Sequence, residues 1–158
     1  MRKQKIYLET TLFNYYFDKE RDAHTDTVRL FNEISEGKYE AFTSIAVTDE
    51  INNAPSPKKE MMMALVTKYG VKVLQVGHEA EILADLYVEQ GVIPFKYRTD
   101  AIHISVASVN ELDIIISMNF KHIVRLKTEK MTSAINAVNG YRPVAITSPM
   151  EVVENENT

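Results

Sequence analysis

The stretch RTDAIHISVASVNELDIIISMNFKHI, residues 98–123, predicts a helix, a buried strand and a polar turn in succession. Thr99 can cap a helix from Asp100 to Asn110, because a threonine hydroxyl accepts hydrogen bonds from the unpaired N–H groups of a first helical turn. The segment DIIIS, residues 113–117, lacks polar alternation, which is typical of parallel strands that are covered on both faces. This succession indicates an α/β domain.

The rest of the chain repeats the alternation of strands and helices. Further strands are predicted at residues 4–9, 40–47, 72–76 and 143–147. Further helices are predicted at residues 12–17, 58–69 and 79–90, from a Thr25 cap to Gly37, and from Thr48 onward. In the helix at residues 79–90, the side chains expected to face inward are Ile82, Leu83 and Leu86. Right-handed crossovers bring the carboxyl ends of parallel strands to one edge, where α/β proteins bind ligands.

Length and composition predict a single cytoplasmic domain. At 158 residues the chain fits one domain, which we expect at residues 1–150, followed by a flexible tail at 151–158. No run of 18 apolar residues occurs and no apolar segment follows the basic start, so neither a membrane span nor a secretion signal is expected. The absence of cysteine excludes disulfides and thiolate metal sites.

The formal net charge of -4 excludes a protein that coats nucleic acid by charge alone, so contact with a polyanion must be local. Solvated helix faces are the simplest explanation of the basic residues that do cluster. These are Lys58 and Lys59, Lys96 and Arg98, and Lys121, His122, Arg125, Lys127 and Lys130.

Acidic side chains occur where several predicted strands end. Glu9 ends the first strand, Glu50 follows the second, and Asp100 opens the helix before DIIIS, while Asn119 lies in the turn after it. The topology can bring these four residues together at one edge of the sheet. An alternative is that each acid only stabilises the start of a helix, where negative charge is favourable.

Two segments carry a resemblance to a known family. IYLETTLFNYYFD, residues 6–18, resembles the opening strand and helix of PIN domains, and residues 98–123 resemble the later block, in which Asp opens an Ala-containing helix before an apolar strand and a polar turn. The similarity spans most of residues 5–148, and the order of the elements carries it. It implies a PIN-like three-layer α/β/α fold around a central, mostly parallel sheet of about five strands.

The resemblance implies that Glu9, Glu50 and Asp100 bind Mg²⁺ or Mn²⁺, with Asn119 as a neutral or water-mediated ligand in the catalytic set. Oxygen ligands suit both ions, and packed carboxylates repel one another without a cation. Two positions depart from the family: Glu9 replaces the usual Asp, and Asn119 replaces a frequent Asp and removes a negative charge. Hydroxyl positions near the site are matched by Thr11 and Ser117.

Three other residues are predicted to lie outside the catalytic set. His103 lies one helical turn after Asp100 and can face the site, but helix histidines of this kind are more often packing or solvated residues. Asp49 is predicted to be a helix-start acid, and Asp113 a strand-edge acid.

The implied function is a metal-dependent ribonuclease that hydrolyses RNA phosphodiester bonds. Small free-standing members of the family further imply a homodimer and the toxin half of a toxin–antitoxin pair, with an antitoxin protein as partner. The alternative is a non-catalytic PIN-like binding or assembly protein with a degenerate acidic site, which Asn119 permits. A haloacid dehalogenase-like phosphatase is disfavoured, because residues 9–11, ETT, lack its Asp-x-Asp pair, and a receiver's phosphoacceptor is not convincingly placed.

Overall fold

The computed structural model describes residues 2–154, in which five strands alternate with seven α-helices. Strands β1 to β5 are Gln4–Leu8, Tyr39–Ser44, Lys72–Leu74, Ile114–Ile116 and Ala145–Thr147. Helices α1 to α7 are Thr10–Tyr15, His24–Ser35, Ile45–Asn52, Lys58–Lys68, His78–Glu89, Arg98–Val109 and Leu126–Val138. Short 3-10 helices are Phe95–Tyr97 and Pro149–Glu151.

The strands form one sheet in the order β3-β2-β1-β4-β5, and every neighbouring pair is parallel. The predicted α/β/α architecture with a central sheet of about five strands is confirmed, and the sheet is parallel throughout the described residues. The chain order reverses between β1 and β4, which lie side by side at the centre. In open parallel sheets, ligands bind in the crevice outside the carboxyl ends at such a reversal.

The two central strands form the core because the last three residues of β1 and all three of β4 carry apolar or aromatic side chains. Ile6, Tyr7 and Leu8 of β1 are fully buried, and the three isoleucines of β4 are buried on both faces. Burying an isoleucine or leucine side chain stabilises a fold by roughly 1.5–3 kcal/mol. Glu9 and Ser117, which directly follow these two strands, are therefore attached to the buried core.

Four predicted details are corrected by the structure. Strand β2 ends at Ser44, whose Oγ accepts a hydrogen bond from the Ala46 backbone N–H at 3.2 Å, so residues 45–47 begin α3 instead of extending the strand. Helices α2 and α6 start at His24 and Arg98, before the predicted caps Thr25 and Thr99. Ile82 is exposed, because α5 turns Ala80, Leu83, Ala84 and Tyr87 inward. Helix α7 was not predicted.

Part of the predicted C-terminal tail contacts the domain. The Tyr39 hydroxyl donates to the Val152 carbonyl at 2.8 Å, and the Glu154 backbone N–H donates to Glu33 Oε2 at 3.0 Å. Lys38 Nζ also lies 3.0 Å from a carboxylate oxygen of Glu154. Residues 155–158 of the tail lie outside the described residues, so the flexible tail stays a prediction.

Asp113 ties the start of β1 to β4, as expected for a strand-edge acid. Its carboxylate accepts hydrogen bonds from the Arg2 guanidinium at 3.0 and 3.1 Å and from the Lys5 backbone N–H at 2.7 Å. The Arg2 hydrogen bond, assisted by the Lys5 N–H, lowers the pKa of Asp113 below its ordinary value of 3.8. A carboxyl whose pKa is lower in the folded than in the unfolded protein stabilises the fold at pH values above its unfolded pKa. This stabilisation is lost as the pH falls through the folded pKa.

We therefore expect Asp113→Asn to lower the free energy of unfolding by about 1 kcal/mol at neutral pH. The difference from wild type should shrink as the pH falls below 3.8, the ordinary pKa of the group. Urea denaturation at several pH values measures this. Asp85→Asn, which removes an exposed ion pair with Arg98, is the control and should change little. A pH-independent difference for Asp113→Asn would contradict the prediction.

Candidate active site

The candidate site lies at the carboxyl ends of three adjacent strands. Glu9 follows β1, α3 with Glu50 follows β2, and Ser117 follows β4. Because β1 pairs with both β2 and β4, the sheet holds these three chain segments next to one another. Asp100 is added from the first turn of α6.

Glu9 is a buried carboxylate, only 3% exposed, held by three donors. Its Oε1 accepts hydrogen bonds from Ser117 Oγ at 2.7 Å, Thr11 Oγ1 at 2.5 Å and the Thr11 backbone N–H at 3.1 Å. Thr11 and Ser117, predicted near the site, thus both contact Glu9. All three donors bind Oε1, and no described residue donates to Oε2, so the carboxylate is fixed with one oxygen available to a ligand.

The same two hydroxyls fix the turn after β4. Thr11 Oγ1 accepts from the Met118 backbone N–H at 2.8 Å, and Ser117 Oγ accepts from the Asn119 backbone N–H at 2.9 Å. Asn119 Oδ1 in turn accepts from the His122 backbone N–H at 3.0 Å. The amide oxygen of the predicted fourth ligand is therefore used within the turn.

Glu50 lies on α3 and is 40% exposed, with two donors on one oxygen. Its Oε1 accepts from the Thr10 hydroxyl at 2.8 Å and from His103 Nε2 at 2.7 Å. The burial of Glu50 would raise its pKa, but the hydrogen bond and charge of His103, together with Thr10, lower the pKa below its ordinary value. Glu50 is therefore ionised at neutral pH.

His103 is fully buried and links Glu50 to β1. Its Nδ1 lies 2.6 Å from the Tyr7 hydroxyl, which lies 2.8 Å from Ser44 Oγ. Burial would lower the pKa of His103, but the Glu50 hydrogen bond and the charges of Glu9, Glu50 and Asp100 outweigh it and raise the pKa. In the protonated form Nδ1–H donates to the Tyr7 oxygen, and Tyr7 donates to Ser44.

Tyr7 keeps its proton throughout, because burial raises the pKa of its phenol far above the ordinary value. The Tyr7 hydroxyl therefore acts only as a hydrogen-bonding link between Ser44 and His103. This chain of groups orients the imidazole, as buried partners of a histidine commonly do.

Asp100 is a partly buried carboxylate that accepts no hydrogen bond from a described residue. Burial raises its pKa, and the charges of Glu9 and Glu50 raise it further, while His103 and His122 act in the opposite direction. The negative charge of Asp100 is thus the least compensated in the cluster, which favours a cation beside it.

The donor set fits Mg²⁺ or Mn²⁺ by its chemistry. Carboxylate oxygens are the preferred ligands of both ions, and Glu9 Oε2 and Asp100 have no donor in the described residues. Within residues 2–154, no three His, Asp or Glu side chains already form a metal-ligating group. The charges of the three carboxylates therefore act on one another, but their side chains would have to move for all three to bind the same ion.

Comparison with family models gave no match, and comparison with curated proteins gave none either. The structure of VapBC2 from Rickettsia felis, bound to a DNA fragment from its promoter, matches over 92% of this chain and 98% of the other, with a TM-score of 0.55 and 12% identity. Mycobacterium tuberculosis VapC20, a sarcin-ricin loop cleaving toxin, matches over 73% of this chain and 92% of the other, with a TM-score of 0.56 and 17% identity. The chain has the PIN-like fold.

In this PIN-like fold, Glu9, Glu50 and Asp100 lie at the edge where the sequence places them, and Asn119 lies in the adjoining turn. Two residues that contact the site were left out of the predicted set: His103, which was expected to be able to face the site but to be more often a packing or solvated residue, and Tyr7, which reads as an ordinary core side chain of β1. The only sequence signal for His103 is its position one helical turn after Asp100. No helix in the described part of the chain is both long and apolar enough to span a membrane.

Proposed function

We propose that this PIN-like protein is a metal-dependent endoribonuclease of the toxin type. The observation that carries the proposal is the pair of acidic groups, Glu9 Oε2 and Asp100, to which none of residues 2–154 donates a hydrogen bond, with Glu50 in the same cluster. Support for an RNA substrate comes from the fold shared with VapC20, a toxin that cleaves the sarcin-ricin loop. The match to VapBC2 likewise supports an antitoxin partner.

The residues of the site have two kinds of role: some would bind the metal ion, and others hold those ligands in position. Glu9, Glu50 and Asp100 would hold Mg²⁺ or Mn²⁺, which when bound supplies a more acidic water and neutralises charge on the attacked phosphate. Thr11 and Ser117 keep Glu9 in one orientation. Without a cation, three carboxylates would repel the RNA phosphate, so substrate binding and metal binding are coupled.

His103 compensates part of the negative charge and orients Glu50. Its imidazole lies on the buried side of Glu50, away from solvent, so it hydrogen-bonds the carboxylate without blocking the exposed side. With Glu50 compensated by His103, a single divalent ion would balance the two remaining carboxylates, Glu9 and Asp100. We therefore propose one firmly bound divalent ion in each chain.

We expect Asp100→Asn to weaken Mn²⁺ binding at least about 10-fold, because it removes a negative charge from the site without changing side-chain volume. Calorimetry on purified protein measures this and needs no knowledge of the RNA. The matched control is Asp49→Asn, which removes an exposed acid of α3 next to Glu50 and should leave Mn²⁺ affinity unchanged. Equal affinity in wild type and Asp100→Asn would remove Asp100 from the site.

The second candidate is a non-catalytic PIN-like binding or assembly protein. It is favoured by the absence of a ready metal-ligating group in residues 2–154 and by the use of the Asn119 oxygen within its turn. This candidate predicts that neither wild type nor Asp100→Asn binds Mn²⁺, so the same calorimetry separates the two functions.

A further inference from the structure

Two similar tripeptides lie beside the candidate site. Residues 95–97 read Phe-Lys-Tyr and residues 120–122 read Phe-Lys-His. The first forms a 3-10 helix directly before α6, and the second lies in the turn after β4. Together we call them the FK shelf.

The third residues of the two tripeptides hold the shelf together. The Tyr97 and His122 rings pack against each other at a tilt, with centroids 4.1 Å apart and an interplanar angle of 32°. Lys96 Nζ and Lys121 Nζ each lie 5.8 Å from the centroid of the Tyr97 ring, one from each tripeptide. His122 is further fixed by its backbone hydrogen bond to Asn119. The two segments therefore form one positively charged aromatic unit.

The first residues of the two tripeptides are exposed phenylalanines. Phe95 is 77% exposed and Phe120 is 53% exposed. Most large apolar side chains that remain on a surface occur singly, whereas these two project from segments that pack against each other. No ring contact joins either phenylalanine to another described residue, so neither ring is engaged in aromatic packing there.

The shelf adjoins the carboxylates. Tyr97 is the residue directly before α6, whose first turn carries Asp100, and Phe120 directly follows Asn119. A ligand lying on the shelf would therefore extend into the candidate active site.

We propose that the FK shelf binds single-stranded RNA next to the scissile phosphate, with unpaired bases stacked on Phe95 and Phe120 and phosphates contacted by Lys96 and Lys121. Aromatic faces with adjacent cations are the usual way to bind single strands without reading their sequence. A duplex hides its base faces, so the shelf selects unpaired RNA. This inference rests on the proposed nuclease function, because it names the substrate class of that same site.

The test compares the affinity of four variants for a labelled oligoadenylate of about twelve nucleotides and for a duplex RNA of equal length. Ca²⁺ replaces Mn²⁺, so that the carboxylates stay neutralised, and fluorescence anisotropy measures binding, while electrophoresis after each titration checks that the RNA is intact. The variants are F95A/F120A and K96Q/K121Q, with I82A/V138A and K58Q/K59Q as matched controls. Ile82 and Val138 are 56% and 86% exposed, so this control removes similar exposed apolar surface elsewhere.

We expect wild type to prefer the single strand and F95A/F120A to bind it at least about 10-fold more weakly, since one base stack changes affinity by about 5-fold to over 100-fold. In K96Q/K121Q the slope of log affinity against log salt concentration should become less steep by about 0.7 for each lysine that contacts a phosphate. The controls should bind like wild type. All four substituted pairs include exposed side chains, so folding is expected to persist, and circular dichroism checks it.

Three results would overturn the shelf: no binding of the single strand by wild type, equal losses in the controls, or unchanged RNA affinity in F95A/F120A. If that unchanged affinity came with a change in oligomeric state by light scattering, the shelf would be a protein-docking surface instead. Cleavage assays with Mn²⁺ distinguish failure of the FK shelf proposal from failure of the proposed nuclease function. Binding without cleavage would remove the nuclease and keep the shelf, whereas cleavage with unchanged KM in F95A/F120A would remove only the shelf.

Discussion

Replacing Glu9 by glutamine is expected to lower Mn²⁺-dependent RNA cleavage by about 1,000-fold, because charge stabilisation by a bound ion is worth several kcal/mol. The fold should persist, since a glutamine oxygen can still accept from Thr11 and Ser117 at the position of Oε1. The amide nitrogen would then lie at the position of Oε2, where it donates a hydrogen bond and cannot ligate a cation. Single-turnover cleavage of an unpaired RNA measures the effect.

The matched control for this prediction is Glu33→Gln. Glu33 is also a buried glutamate, 5% exposed, but it lies on α2 and accepts from the backbone of Glu154. The Glu33→Gln variant should cleave RNA at the wild-type rate. Cleavage by Glu9→Gln within about threefold of wild type would show that Glu9 is not a ligand, because loss of even an outer metal partner typically costs 10- to 100-fold.

Replacing His103 by alanine is expected to lower the free energy of unfolding by about 3 kcal/mol. The side chain is fully buried, so its removal leaves a cavity, and it deprives the Tyr7 hydroxyl and Glu50 of a hydrogen-bond partner. The ion pair itself adds little to this number, because Glu50 is 40% exposed and solvent screens the charge. Urea denaturation at neutral pH gives the change.

Tyr7→Phe separates the hydrogen bonds from the packing. It keeps the ring in the core but removes the hydroxyl that lies between Ser44 and His103, which should cost about 1 kcal/mol. If His103→Ala were no more destabilising than Tyr7→Phe, the imidazole would contribute no packing of its own, and the prediction would be wrong.

The sheet could be predicted from the sequence because β4 and the second half of β1 are runs of apolar or aromatic residues. Helix α7 could not, because its buried residues are mostly polar: Thr128, Thr132 and Asn136, with Ile135. Asn136 donates to Ser108 Oγ at 2.9 Å and accepts from the Tyr87 hydroxyl, so hydrogen bonds replace the apolar stripe by which helices are usually predicted.

The carboxylates of the site could be placed from the sequence because they follow strand ends, whose positions the topology fixes. The contact between Tyr7 and His103 could not, since it joins residues 96 positions apart and depends on how α6 packs on the sheet. The start of α3 was misplaced because Ile45 to Val47 are equally compatible with a strand, and only the hydrogen bond of Ser44 decides the helix start.

The central position of β1 has a consequence for synthesis on the ribosome. Strand β1 is the first to be made, yet its partner β4 and the Ser117 donor to Glu9 come 108 residues later. At about 5–20 residues per second, many seconds pass before the second edge of β1 is covered. A nascent chain thus carries Glu9 long before it can hold that carboxylate in place, and the acidic site is completed only after Ser117 has been made.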